Sequence, residues 1–342
     1  MAYISFQPKD YFNTKLYTGT GSSNAITGIG FAPDWLWIKA RGASYSNQLV
    51  DNVRGATKML ASDNNSAEFT AADRVASLDS DGFTLGSNAN VNASSGTYVS
   101  WNWKANGQGS SNTDGTINTT YTSANTTSGF SISQYTGTGS AATIGHGLGV
   151  TPKMIIVKRT NTTGGWTIYH SSVGNTKYLY LNTTDAEATA SSIWNNTSPT
   201  SSLFTVGTDG EVNGSGSTYV AYCFAEKIGF SKFGSYTGNG NADGTFIYTG
   251  FKPAFIIIKK NATDYWFMYD NKRGDINANA KTLKANTSDA EGTSGKEIDF
   301  LSNGVKIRNS NNSINTSGST YIYMAFAEEP LVASNGTPAT AR

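Results

Sequence analysis

Apolar residues in this chain fall in short runs separated by stretches of Gly, Asn, Ser and Thr. Three of the runs follow a proline and close on a lysine. They are Trp35-Leu36-Trp37-Ile38-Lys39 after Pro33, Met154-Ile155-Ile156-Val157-Lys158 after Pro152, and Phe255-Ile256-Ile257-Ile258-Lys259 after Pro253. Three others are Thr97-Tyr98-Val99-Ser100-Trp101, Thr218-Tyr219-Val220-Ala221-Tyr222 and Thr320-Tyr321-Ile322-Tyr323-Met324. Short β-branched and aromatic runs bounded by turn formers predict strands. A half-buried strand alternates apolar and polar residues, whereas these are apolar at nearly every position. Such strands lie between two layers, or between a sheet and another subunit. Asp81-Gly82, Asp209-Gly210, Asn213-Gly214, Asp243-Gly244 and Asn303-Gly304 carry hairpin-turn chemistry. No long stretch keeps helical periodicity, and the piece from Ser66 to Ala76 predicts at most one short helix.

The runs are landmarks of an internal repeat. Tyr17-Thr18-Gly19-Thr20-Gly21 recurs as Tyr135-Thr136-Gly137-Thr138-Gly139 and as Tyr236-Thr237-Gly238-Asn239-Gly240, each time upstream of the proline run and the closing run. The expected fold is therefore all-β: three tandem β-sandwich-like modules of about a hundred residues. Residues 15–105, 130–229 and 230–330 form the modules, after an N-terminal segment of residues 1–14. The tract 106–129 reads as a flexible linker or surface arm because it is almost free of apolar residues. Modules two and three abut at Glu226-Lys227-Ile228-Gly229-Phe230, and residues 331–342 form a polar tail.

Composition narrows the function. Charged residues are 14% against a usual value of about 25%, and aromatics stand at 12%, which describes a globular chain rather than a disordered one. A net charge of +1 gives no reason to expect nucleic acid or an anionic membrane as partner. The single cysteine, Cys223, excludes an intrachain disulfide and reads as a small buried hydrophobe. Neither a signal peptide nor an apolar stretch long enough to span a membrane is expected.

Catalytic patterns are missing. The chain has no HExxH, paired CxxC, GxSxG or P-loop spacing, and its two histidines, His146 and His170, both lie in module two. No cofactor or metal is expected. The chain is not expected to be an enzyme, although paired carboxylates of a glycosidase would leave no signature in spacing. One polar motif does recur: Asp51-Asn52-Val53-Arg54-Gly55 matches Asp270-Asn271-Lys272-Arg273-Gly274, while module two carries His170-Ser171-Ser172-Val173-Gly174. Aromatics precede it, namely Tyr45, then Trp166 and Tyr169, then Trp266 and Tyr269. One reading is a turn braced by an Asp–Arg hydrogen bond over core aromatics. The other is a ligand surface, with rings stacking on sugars and Asp51, Arg54, Asp270 and Arg273 bonding hydroxyls. Asn-x-Ser/Thr triplets such as Asn92-Ala93-Ser94 read as chance in so Asn-rich a chain.

The Tyr-Thr-Gly-x-Gly element, Gly30-Phe31-Ala32-Pro33 and Gly250-Phe251-Lys252-Pro253, the Arg-Gly motif, and Tyr321 to Glu328 together resemble a family of repeat proteins of marine tailed bacteriophages. The start Met1-Ala2-Tyr3-Ile4-Ser5-Phe6-Gln7-Pro8 is similar to that family too. The resemblance implies a virion structural protein, made in the host cytoplasm and placed on the tail rather than the head. The implied role is a tail fibre or receptor-binding adhesin recognising host surface glycan or an outer-membrane protein. By analogy with phage fibres it implies a homotrimer in contact with other virion proteins. The alternative is a capsid decoration or head-fibre protein without receptor binding, favoured by the brevity of residues 1–14, short for a tail anchor.

Overall fold

The computed structural model describes residues 6–274 and 277–329. The expectation for residues 331–342 lies outside them. The chain is all-β, in several antiparallel sheets. Three larger sheets share one construction. In the first, Phe12–Thr18 pairs with Thr97–Trp103, which pairs with Trp35–Ala40, which pairs with Gln48–Asp51. In the second, the same order is Phe130–Thr136, Thr218–Phe224, Met154–Arg159 and Trp166–His170. In the third it is Ser231–Thr237, Thr320–Ala327, Pro253–Lys260 and Trp266–Asp270. The repeated closing run thus takes the interior position, between the Tyr-Thr-Gly strand and the post-proline strand. Each larger sheet is backed by a smaller one, built on Asn24–Thr27 and Gly82–Leu85, on Ala142–Gly145 and Leu203–Val206, and on Phe246–Tyr248 and Gly304–Ile307.

Strand alternation explains why these runs are apolar on both faces. Leu36 and Ile38 point to the smaller sheet and join a cluster with Val75, Phe83 and Leu85. Trp35 and Trp37 point the other way, into one central cluster shared by all three larger sheets. Ile156, Tyr222 and Phe224 enter it from the second sheet, and Phe255, Ile257 and Phe326 from the third. Trp35 stacks on Tyr222 with centroids 4.7 Å apart. Trp103 meets Phe255 edge-on at 5.8 Å, and Phe224 meets Phe326 at 6.0 Å. Of the two expectations for such strands, a second layer or another subunit, the second layer is met by the chain itself. Burying these strands does not require a homotrimer.

Three local expectations change. The tract 106–129 carries the strand Tyr121–Asn125, which pairs with Phe130–Thr136 and extends the second sheet at its edge. Its polarity misled because its hydroxyls are satisfied inside: Thr122 Oγ1 lies 2.9 Å from Thr119 Oγ1 and 3.1 Å from Ser133 Oγ. The piece from Ser66 to Ala76 forms no helix; it contains the strand Phe69–Thr70 and opens Val75–Asp79. Short helical turns occur instead at Ala89–Asn92, Gly210–Asn213 and Asn312–Asn315, just before each closing strand. Asp209-Gly210 starts one of them rather than a hairpin, its carboxylate accepting from the Glu211 backbone N–H at 2.9 Å.

Candidate functional site

The polar residues singled out in the sequence gather where the three larger sheets meet. Loops 61–68, 181–187 and 285–291 each end in Ala-Glu and each reach across to the next sheet. The backbone N–H of Glu68 donates to Thr160 O at 2.7 Å, that of Glu187 to Asn261 O at 2.8 Å, and that of Glu291 to Arg41 O at 2.8 Å. The first sheet's loop thus holds the second sheet, the second's holds the third, and the third's returns to the first. The indole N–H groups of Trp166 and Trp266 follow the same cycle, donating to Ala61 O and Tyr180 O, both at 2.9 Å. At the corresponding position of the first sheet, Asn47 Nδ2 donates to Ala285 O at 3.3 Å.

The lysines that close the post-proline runs sit at these junctions, fully buried. Lys39 Nζ donates to Tyr45 O at 2.6 Å and to Thr287 O of the third sheet's loop at 3.3 Å. Lys158 Nζ donates to Arg159 O, Gly164 O and Asn65 O at 2.8, 2.9 and 3.3 Å. Lys259 Nζ reaches Lys260 O and Ala262 O, both at 2.7 Å. Burial lowers all three to about 8. The unfolded chain therefore holds protons that the folded chain releases between about pH 8 and the usual lysine range, so these groups make stability rise with pH there. Above pH 10 the effect reverses, because burial raises Tyr17, Tyr135 and Tyr236 and the unfolded tyrosines ionise first. The urea midpoint is expected to be higher at pH 9.5 than at pH 8; a flat or falling midpoint would count against the burial of these three lysines.

The Asp–Arg motif is interior as well. Arg54 Nε bonds Asp51 Oδ2 at 2.6 Å with both side chains buried, and Tyr222 of the second sheet donates its hydroxyl to the same oxygen at 2.7 Å. Arg273 Nε bonds Asp270 Oδ2 at 2.6 Å, and here Trp101 of the first sheet donates its indole N–H at 3.0 Å. Trp101, Tyr222 and Met324 hold corresponding places on the three closing strands. Met324 has no hydrogen to donate, and the residue facing that strand is His170 rather than an aspartate. His170 Nδ1 accepts from the Ser172 backbone N–H at 3.2 Å, which leaves Nε2 to donate to Tyr323 O, also at 3.2 Å. Val173 takes the arginine's place and packs against the central cluster. A carboxylate at the His170 position would find no donor on the third sheet's strand, where Met324 stands, and an uncompensated buried charge is costly.

Burial pushes His170 down to about 4. The unfolded histidine binds its proton near pH 6.5 while the folded one resists it, so this stability is present above pH 6.5 and is lost as pH falls towards 4. The loss is expected to reach about 3 kcal/mol. His170→Gln should flatten the urea midpoint between pH 7 and 4.5; a slope identical to that of the parent chain would exclude His170 as its source.

Of the residues considered as a ligand surface, Asp51, Arg54, Trp166, Tyr169, Trp266, Tyr269, Asp270 and Arg273 are enclosed. They cannot present a face to a ligand in the folded chain. Tyr169 packs edge-on against Trp194 at 5.9 Å, and Tyr269 donates its hydroxyl to Lys296 O at 3.0 Å. Tyr45 alone reaches the surface, half-buried beside a recess of ≈ 210 Å³ with Thr97 and Tyr98. Cys223 is buried with its thiol pushed up by desolvation. A thiol reagent is therefore expected to leave the native chain unlabelled and to label it fully in denaturant. Among the described residues, no group of three or more His, Cys, Asp or Glu is placed to hold a metal ion, and no helix is long and apolar enough to cross a membrane.

Three asparagines escaped the sequence reading. Asn92, Asn213 and Asn315 are fully buried, and each side-chain oxygen accepts from the Tyr-Thr-Gly loop: Thr20 N at 2.9 Å, Thr138 N at 2.8 Å and Asn239 N at 2.9 Å. The first glycine of that motif is needed for the same contact. A Cβ on Gly19, Gly137 or Gly238 would lie 2.2, 2.5 or 2.3 Å from the carbonyl oxygen of Ala93, Gly214 or Thr316. The signal lay in the Asn-x-Ser triplets dismissed as chance. Asn92-Ala93-Ser94, Asn213-Gly214-Ser215 and Asn315-Thr316-Ser317 stand at the same distance before Tyr98, Tyr219 and Tyr321.

A domain family of unknown function, DUF7483, matches residues 7–330. The chain belongs to that family, whose unit takes in all three larger sheets and the core between them. No curated protein and no solved structure is significantly similar to the chain.

Proposed function

We propose that this protein is a non-catalytic structural component of a phage virion, an adhesive tail-fibre piece that presents its loops to the host surface. The observation that supports this reading is the fate of the polar chemistry. The histidines, the thiol, the shifted lysines and both Asp–Arg pairs are enclosed, and His170, Lys39, Lys158 and both pairs bond across to a neighbouring sheet. The outside is rich in Thr, Ser, Asn and Gly loops. A body whose reactive groups are spent on rigidity suits a part that must persist outside a cell and be recognised by shape. The sequence resemblance to phage repeat proteins supplies the virion setting. Partners on this reading are other virion proteins and a host surface glycan or outer-membrane protein.

Capsid decoration is the second reading, favoured by three similar sheets around one core, a body whose approximate threefold form would match a threefold position on a shell. Immunogold labelling of intact virions with an antibody against this chain separates the two. Gold at the tail or fibre tips is the expected result, gold over the head would replace adhesion by decoration, and unlabelled particles would remove the protein from the virion.

A further inference from the structure

Large apolar side chains that stay exposed are few among the described residues, and two of them, Phe246 at 41% and Tyr248 at 62%, lie on one face of one strand. That strand is the edge of the third module's smaller sheet, where Ile247 points inward to the core and its two neighbours point out. Across the sheet, Phe246 faces Lys306 and then Asp299, while Tyr248 faces Gly304 and then Leu301. Gly304 makes the face a shallow dish. A Cβ there would lie 2.8 Å from the Phe246 ring, so the ring leans over bare backbone. The corresponding outward positions are Ala25 and Thr27 in the first module and Thr143 and Gly145 in the second. In the second module the strand's edge is also covered, since Ile117 bridges to Ile144. The aromatic pair is therefore peculiar to one module and open to solvent.

We infer that Phe246 and Tyr248 form a stacking platform for a neutral saccharide, which on the adhesin reading proposed above makes this face the host-contact site. Two rings at alternate strand positions offer their faces to the C–H faces of pyranose rings. The rim supplies what hydroxyls need, both donors and acceptors. Lys306 Nζ lies 3.0 Å from Asp243, and Arg308 Nε lies 3.2 Å from Asp299. Two cations balance two carboxylates, so the rim favours a neutral sugar over a sulfated or carboxylated one. A protein partner would need about 800 Å² on each side, more than two rings and a glycine floor provide.

The test is saturation-transfer NMR on the full chain with three neutral probes: cellohexaose, maltohexaose and mannohexaose. Sugar C–H protons of at least one probe should receive saturation, and the Phe246→Ala/Tyr248→Ala double variant should bind it at least about tenfold more weakly. Both side chains are exposed, so the variant should keep the parent's urea midpoint and serve as a folded control. No transfer from any probe, or equal binding by parent and variant, overturns the platform. So does a concentration-dependent dimer in sedimentation that the variant abolishes, since that would make the occupant a second copy. Failure here leaves the virion assignment standing, because immunogold labelling reads that separately.

Discussion

Arg273→Met is expected to lower the stability of the chain by about 3–5 kcal/mol, read as the loss in urea-unfolding free energy. The guanidinium is fully enclosed, bonds Asp270 at 2.6 Å and Glu291 at 3.3 Å, and lies over the Trp101 ring at 5.6 Å. Methionine fills much of the volume but leaves the buried Asp270 carboxylate without its cation, while Glu291 keeps Arg41 at 3.0 Å. If the cost comes from stranded charge rather than lost volume, Arg273→Met combined with Asp270→Asn should recover part of it, since asparagine carries no charge to strand. A double variant as unstable as the single one would mean that packing, not charge, was lost. Arg308→Met is the contrasting change. That guanidinium is half exposed beside Asp299, and its removal should cost less than about 1 kcal/mol.

Trp35→Ala should also cost about 3–5 kcal/mol, and its effect should not stay in the first sheet. The Trp35 ring touches Trp103 of its own sheet at 4.5 Å, and Tyr222 and Phe224 of the second at 4.7 and 5.8 Å. Phe83→Ala offers a comparison, because Phe83 packs only within the cluster between the first module's two sheets. Both variants are expected to shift one common transition. If Trp35→Ala gave a biphasic curve with the second and third sheets melting as in the parent, the shared core would carry less of the stability than its contacts imply.

How much of this was legible in the sequence depended on whether a residue acts locally. Strands and their two-faced burial followed from runs such as Phe255 to Lys259, since apolar periodicity reports burial directly. The location of the second apolar layer did not follow, because nothing local in Trp35 or Phe326 says whether a partner surface belongs to the same chain. The Asp–Arg motif was visible, and its interior reading as a braced turn was available. Its intermodule donors, Tyr222 and Trp101, are remote in sequence and no pattern links them to it. The substitution of His170 for an aspartate becomes intelligible only once Met324 is seen opposite. Residues 106–129 read as unstructured because their order comes from backbone pairing, as between Ser110 and Thr122, and from polar side chains bonding inside, which hydropathy does not register. The Asn-x-Ser repeat is legible in the sequence by its fixed distance to Tyr98, Tyr219 and Tyr321.

Three sheets close one core, and calorimetric unfolding of the full chain tests that most directly. A shared core makes the chain one cooperative unit, so a single heat-absorption peak is expected, with the calorimetric enthalpy equal to the van't Hoff enthalpy. Resolved peaks, or a calorimetric enthalpy two to three times the van't Hoff value, would show that the sheets unfold independently and would contradict it.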